Sequence, residues 1–293
     1  MPNVDVNGTQ LAYAEQGSGQ PVVFVHGGSG DQRVWENQLQ VFSSRYRAIA
    51  VSCRGYYPSS GLREDETITL DTFVEDLVRF VRALDLAPVH LVGHSSPGGF
   101  GSLLLAQRQP TLLRSLVLIE PPVFPLLGVN LPPQPSQIFR LLMSHPQVAI
   151  GFIRFGIRGV GPARKAFGRG DDEEGLRAFM KANLGSEAFA RMPGSRFQQA
   201  VQNIQPLKAQ ISAGFPPFRE QDAQGIHIPT LLVSGENSNA ALRGVTDRLQ
   251  ELLPNVERLN IKGASHNMFE SHPQDFNRGV LAFLERHSDQ AVI

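Results

Sequence analysis

GHSSPGG, residues 93–99, follows the apolar run at 89–92 and precedes the helix-like run at 102–106. An apolar strand, Gly-x-Ser and then a helix is the context of a nucleophile elbow. Such a turn exposes a serine oxygen at a helix N-terminus, where negative charge is favoured. One residue usually separates the serine from the glycine pair; here there are two, Ser96 and Pro97. Counted from the strand, Ser95 is the nucleophile and Gly93 the small residue before it. Counted back from the helix, Ser96 fits instead. Backbone chemistry arbitrates, because the residue after the nucleophile donates its N–H to the oxyanion. If Ser96 attacked, that donor would be Pro97, which has no N–H. Ser95 is therefore the favoured nucleophile, with Ser96 as the alternative and, in the favoured reading, as an N–H donor. A residue before proline avoids the α region, and proline is tolerated in a first helical turn. The turn should be wider than usual, with its helix starting near Gly98.

Outward from this motif, short apolar runs at 21–25, 48–51, 89–92, 116–119, 230–233 and 256–261 alternate with amphipathic stretches. Residues 4–14 alternate about Asn7-Gly8, a hairpin signal. Residues 34–42 have helical spacing. At 70–84, Phe73, Leu77, Phe80, Val81 and Leu84 share one helical face, as do Leu242, Val245, Leu249 and Leu252, and Phe276, Val280, Phe283 and Leu284. This rhythm predicts an α/β fold: a mostly parallel sheet covered by helices on both faces. The segment 121–225 breaks the rhythm. It is rich in Pro, Gly and Phe, shows weak helical patches, and is too long for a plain loop. The expected division is a core of 1–120 and 226–293 with an inserted helical cap of 121–225.

The 293 residues carry 27 basic and 27 acidic side chains, so formal net charge is zero. This balance points to a small-molecule substrate and away from nucleic acid or a membrane surface. The basic run 154–169, followed by the acids of 171–174, reads as a solvated face. A single cysteine, Cys53, excludes an internal disulfide, and the N-terminus has no apolar leader. Both fit a cytoplasmic compartment. No metal signature of the His-x-x-x-His or paired-Cys kind is present, so no metal or organic cofactor is expected. Oligomeric state stays open, a homodimer included.

Two further motifs carry chemistry. HGGSGDQRVW, residues 26–35, is a glycine-rich loop directly after a strand, where Gly28 can offer its N–H to an oxyanion. GASH, residues 263–266, places His266 just after the last strand, and serine, acid, histidine is the chain order expected of a triad on an elbow. With RGYYPS at 54–59 and LVLIEPP at 116–122, these motifs make the chain resemble α/β-hydrolase fold enzymes over nearly its full length, with a cap after the sixth strand.

The resemblance implies a catalytic acid. Enzymes of this kind often place an aspartate where this chain has Ser238, in LLVSGENSNAALR. Haloalkane dehalogenase-like members take the acid from the end of the sixth strand, and Glu120 stands there. Glu120 is thus the first choice and Glu236 the second. The implied activity is that of a carboxylesterase or lactonase. Ser95 attacks a small-to-medium, largely apolar ester or lactone, His266 transfers the proton, Glu120 orients the imidazole, and Gly28 and Ser96 hold the oxyanion. Trp35, Phe124, Phe139 and Phe155 are candidate pocket residues, and Arg154, Arg158 or another cap base is a candidate for a substrate carboxylate. C–C bond hydrolysis, cofactor-free oxygenation and non-catalytic, receptor-like binding remain alternatives on the same fold.

Overall fold

The apolar runs assemble into one eight-stranded sheet. The computed structural model describes residues 1–62 and 68–288. The strands are β1 (Asn3–Val6), β2 (Thr9–Gln16), β3 (Pro21–Val25), β4 (Arg47–Val51), β5 (Val89–His94), β6 (Leu113–Ile119), β7 (Thr230–Gly235) and β8 (Val256–Ile261). Their spatial order is β1-β2-β4-β3-β5-β6-β7-β8. β1 pairs with β2, and β2 with β4, antiparallel; every other pairing is parallel. Asn7 and Gly8 join β1 to β2 with φ of 52° and 73°, as a two-residue hairpin turn of the primed kind requires.

Successive strand residues face opposite sides of a sheet, and both sides are filled here. Val23, Val25, Leu91 and Leu118 join Phe73, Leu77 and Phe80 of α2 (Leu70–Ala83) and Phe100, Leu103 and Leu104 of α3 (Gly98–Arg108). Val22, Phe24, Val92 and Ile119 face the other way, onto residues of α1 (Glu36–Phe42) and of the C-terminal helix. The helical stretch at 34–42 differs in one respect. Residues Gln32–Trp35 form a 3₁₀ turn capped by the Asp31 carboxylate, and α1 starts only at Glu36.

Between β6 and β7 every regular element is helical: α4 (Pro135–Ser144), α5 (Pro146–Phe155), a π-helical stretch (Gly156–Val160), α6 (Gly161–Gly168), α7 (Asp172–Leu184), α8 (Ser186–Arg191), α9 (Gly194–Val201), α10 (Ile204–Ala213) and α11 (Glu220–Gln224), with a 3₁₀ turn at Phe124–Leu127. The inserted segment builds a small core of its own from Leu176, Met180, Phe197, Ile204 and Leu207. Phe124, Phe152 and Phe218 instead pack down onto the main core. The rhythm then resumes with β7, α12 (Ala240–Leu252), β8, α13 (Met268–Ser271) and α14 (Pro273–Arg286). No described helix is long and apolar enough to cross a membrane.

A close backbone approach sits beside the elbow. A Cβ on Gly98 would lie 2.4 Å from the carbonyl oxygen of Val25 and 2.7 Å from that of His26. Backbone cannot yield as a flexible side chain can, so Gly98→Ala should lower unfolding free energy by about 1–3 kcal/mol in urea titrations. Gly168→Ala, where an added Cβ meets nothing within 4 Å, should leave stability unchanged or raised in the same assay.

Candidate active site

β5 and β6, neighbours in the sheet, end in the same way. The N–H of Ser95 donates to the carbonyl of Ile119 at 2.9 Å, and that of Glu120 to Val233 at 3.2 Å, each extending a ladder by one bond. Ser95 and Glu120 then adopt φ of 52° and 44°. L-residues rarely occupy this left-handed region, at a cost of about 1–3 kcal/mol each. The extra residue of the elbow is absorbed in the turn. Pro97 takes helical angles as the residue before α3, which begins at Gly98. The Ser95 carbonyl accepts the N–H of Phe100, five residues on, at 2.9 Å, and Gly98 donates to the His26 carbonyl at 3.1 Å. Gly93 admits no side chain, since a Cβ there would lie 2.3 Å from the Gly98 carbonyl oxygen.

Glu120 is fully buried. Its Oε1 accepts the N–H of Gly235 at 2.9 Å, and its Oε2 lies 2.7 Å from Nδ1 of His266. A carboxylate only accepts, so Nδ1 carries the hydrogen, and in the neutral ring the lone pair is on Nε2. Glu236 makes no such contact: its Oε2 accepts the N–H of Gly263 at 2.8 Å, holding the base of the GASH loop. Ser238 is buried, and its Oγ has no hydrogen-bond partner among the described residues. His266 and Ser95 line one crevice together with Gly28, Ser29 and His94.

Beside this crevice, a cavity of about 140 Å³ is lined by Ser95, Ser96, Gly28, Phe124, Phe155 and Phe215, among others. Ser96 gives its N–H to no acceptor among the described residues, while Gly27, beside Gly28, forms an isolated antiparallel bridge with Pro97. Two of the aromatic residues expected at a pocket lie elsewhere. Trp35 is fully buried in the core, stacked on Phe269 at 4.2 Å and near Phe24 at 5.3 Å. Its indole fills the layer beneath the loop. Phe139 is 63% exposed on the outer side of α4. Arg154 and Arg158 are exposed as well, and the cavity's one cation among its lining residues is Arg164.

Several contacts at the site have no local pattern to announce them. The His94 ring sits 4.5 Å from that of His266, and burial, then the neighbouring His266, pushes its pKa well down. The cap is tied to the glycine-rich loop by buried polar contacts. Asn203 donates to Asp31 Oδ2 at 2.8 Å and accepts the N–H of Tyr57 at 2.8 Å. Arg196 donates to the Ser29 carbonyl at 3.0 Å and to Glu270 Oε1 at 2.7 Å, and Glu270 in turn accepts from Asn267, next to His266. The partners of Asn203 and Arg196 outside the cap lie 74 to 172 residues away in the chain, so no local pattern reveals them.

Comparison with known proteins agrees with this architecture. A family model described as alpha/beta hydrolase fold matches residues 20–273. The chain belongs to the alpha/beta hydrolase fold family. Among its relatives, non-heme chloroperoxidase CPO-A1 of Kitasatospora aureofaciens is 30% identical over 96% of this chain and 98% of its own. The structure resembles a thermophilic esterase from Thermogutta terrifontis (TM-score 0.75, 19% identity, 98% and 99% of the two chains). It also resembles an enol-lactonase from Burkholderia xenovorans (TM-score 0.71, 18% identity, 97% and 100%). At such identities the structural likenesses speak for the fold alone.

Two consequences are measurable. Asn203→Leu would strip a donor from Asp31 and an acceptor from the Tyr57 N–H; thermal or urea unfolding should show a loss of about 2–4 kcal/mol. His26 is fully buried, and burial lowers its pKa to about 4 against a weaker opposing bond to the Gly27 carbonyl. The unfolded chain binds this proton near pH 6.5 and the folded chain only near pH 4, so falling pH favours unfolding across that window. Its Nε2 accepts the Cys53 N–H, which a protonated ring cannot do. Stability should therefore fall by up to about 3 kcal/mol from this residue between pH 6.5 and 4, and His26→Gln should flatten that stretch of the profile.

Proposed function

We propose that this protein is a serine hydrolase that cleaves a small-to-medium, largely apolar carboxylic ester or lactone through an acyl-enzyme. The observation that carries this reading is the buried Glu120–His266 pair, set in one crevice with a serine held in the left-handed region at a strand end. Ser95 Oγ attacks the carbonyl carbon while Nε2 of His266 takes its proton. The tetrahedral oxyanion receives the N–H groups of Gly28 and Ser96, each such donor being worth about 3–4 kcal/mol. Collapse expels the alcohol, protonated by His266. Water, deprotonated by the same nitrogen, then frees the acid and restores Ser95. Glu120 keeps Nδ1 protonated and stabilises the imidazolium formed in each half.

The lining supports the substrate class. Phe124, Phe155, Phe215 and Leu242 make most of the cavity wall apolar. Its 140 Å³ suits an acyl group of modest size. The esterase and lactonase of similar fold act on ester bonds by their names, in line with this choice.

Labelling with a fluorophosphonate followed by peptide mapping tests the reading. The label should sit on Ser95, and Ser96→Ala should still be labelled. Ser95→Ala should lose the label and at least about 1,000-fold in p-nitrophenyl ester hydrolysis. A label on Ser96, or none on the folded wild type, would contradict the assignment. Glu120→Gln should lower kcat by about 10⁴-fold, because the wrong tautomer is then favoured. Glu236→Gln should stay within about threefold of wild type in the same assay.

A further inference from the structure

Between residues 121 and 170 the chain has no Asp or Glu and six cations: Arg140, Arg154, Arg158, Arg164, Lys165 and Arg169. In a protein balanced at 27 basic and 27 acidic residues, this concentrates positive charge on one part of the cap. All six residues are exposed. None has a carboxylate at ion-pair distance among the described residues. Exposed arginines elsewhere commonly do: Arg108 pairs with Asp71, Arg191 with Glu187, Arg278 with Asp275 and Arg286 with Glu257. Of the acids that follow the segment, Glu173 and Glu174 are exposed in the first turn of α7, and the other two are engaged locally. Asp171 caps α7 and Asp172 holds Lys208.

The same segment exposes apolar surface. Phe139, Met143 and Ile157 are 63%, 71% and 69% exposed, with Leu142 and Ile150 less so; among the described residues only Met1, Val41 and Tyr57 are other large apolar side chains so placed. The spacing is helical. Phe139, Leu142 and Met143 share one side of α4, opposite buried Leu141. Ile150, Arg154 and Ile157 recur at i, i+4 and i+7 along α5 and the π stretch, away from buried Ala149 and Phe152. α4 and α5 pack against one another, and the same helical run supplies Phe155, Val160 and Arg164 to the cavity.

We propose that this face of the cap docks on an anionic lipid surface, lying on it with Phe139, Met143 and Ile157 inserted at the headgroup level and Arg140, Arg154 and Arg158 on lipid phosphates. Exposed apolar residues combined with clustered, unpaired cations are what such a surface selects. A nucleic acid would use the charge but has no place for Met143 and Ile157. A second copy meeting this face through a two-fold axis would set cations against cations. The sequence-level expectation of a plain solvated face took the charge alone; the exposed side chains beside it change the reading.

Co-sedimentation of the full chain with large unilamellar vesicles tests the proposal. Vesicles of phosphatidylcholine with about one third phosphatidylglycerol should bind at least about tenfold more tightly than phosphatidylcholine alone, and about 0.5 M salt should abolish the difference. Arg154→Glu with Arg158→Glu, and separately Phe139→Ser with Ile157→Ser, should each weaken binding by about tenfold or more. Circular dichroism and Tm should stay at wild-type values, since these side chains are exposed. Absent binding, equal binding to both vesicle types, or binding untouched by either pair of substitutions would overturn it. So would a dimer in light scattering that Phe139→Ser with Ile157→Ser dissolves, or tighter binding to a single-stranded oligonucleotide than to the anionic vesicles.

Discussion

The 2.7 Å contact between His266 Nδ1 and Glu120 Oε2 is the constraint on which the rest of the site depends. A carboxylate with no solvent exposure is costly unless it is paired and hydrogen-bonded. Here one oxygen takes the imidazole and the other takes the Gly235 N–H. Three separate pieces of chain thereby converge: the end of β6, the end of β7 and the loop after β8. None is adjacent in sequence, and the parallel sheet alone brings their ends to one edge. The left-handed turn at Glu120 swings the carboxylate out of the ladder, as the turn at Ser95 does for the hydroxyl one strand away.

The cap reaches the same edge from the outside. Arg196 grips the Ser29 carbonyl and, through Glu270 and Asn267, the segment that follows His266. Gly30 donates back to the Gly27 carbonyl at 3.0 Å, so the peptides around Gly28 are pinned from both sides. Asn203 does the same for Asp31 and Tyr57. The glycine-rich loop thus owes its shape to inserted helices as much as to its own sequence. That arrangement makes the cap a positioning element for the proposed oxyanion donors as well as a cover.

Much of this was legible in the residues. The strand–helix rhythm gave the sheet and its helical layers, because strands buried on both faces read as short apolar runs. The restriction that Pro97 places on the residue before it, and its tolerance in a first helical turn, pointed to a start of α3 near Gly98, where it begins. What escaped has physical reasons. Aromatic residues were assigned to a pocket by type alone, yet Trp35 is core and Phe139 faces outward; position on a helix, not ring chemistry, decides which. The contacts of Arg196 and Asn203 span too many residues to leave a local pattern. The basic stretch looked bland because the exposure of its apolar neighbours is a property of how α4 and α5 pack.

The account stands or falls with the acid that holds His266, and proton NMR of the imidazole N–H reads that bond directly. A strongly deshielded Nδ1 proton should be present in the wild type, persist in Glu236→Gln and disappear in folded Glu120→Gln. A resonance that survives loss of the Glu120 carboxylate, or vanishes with that of Glu236, would contradict it.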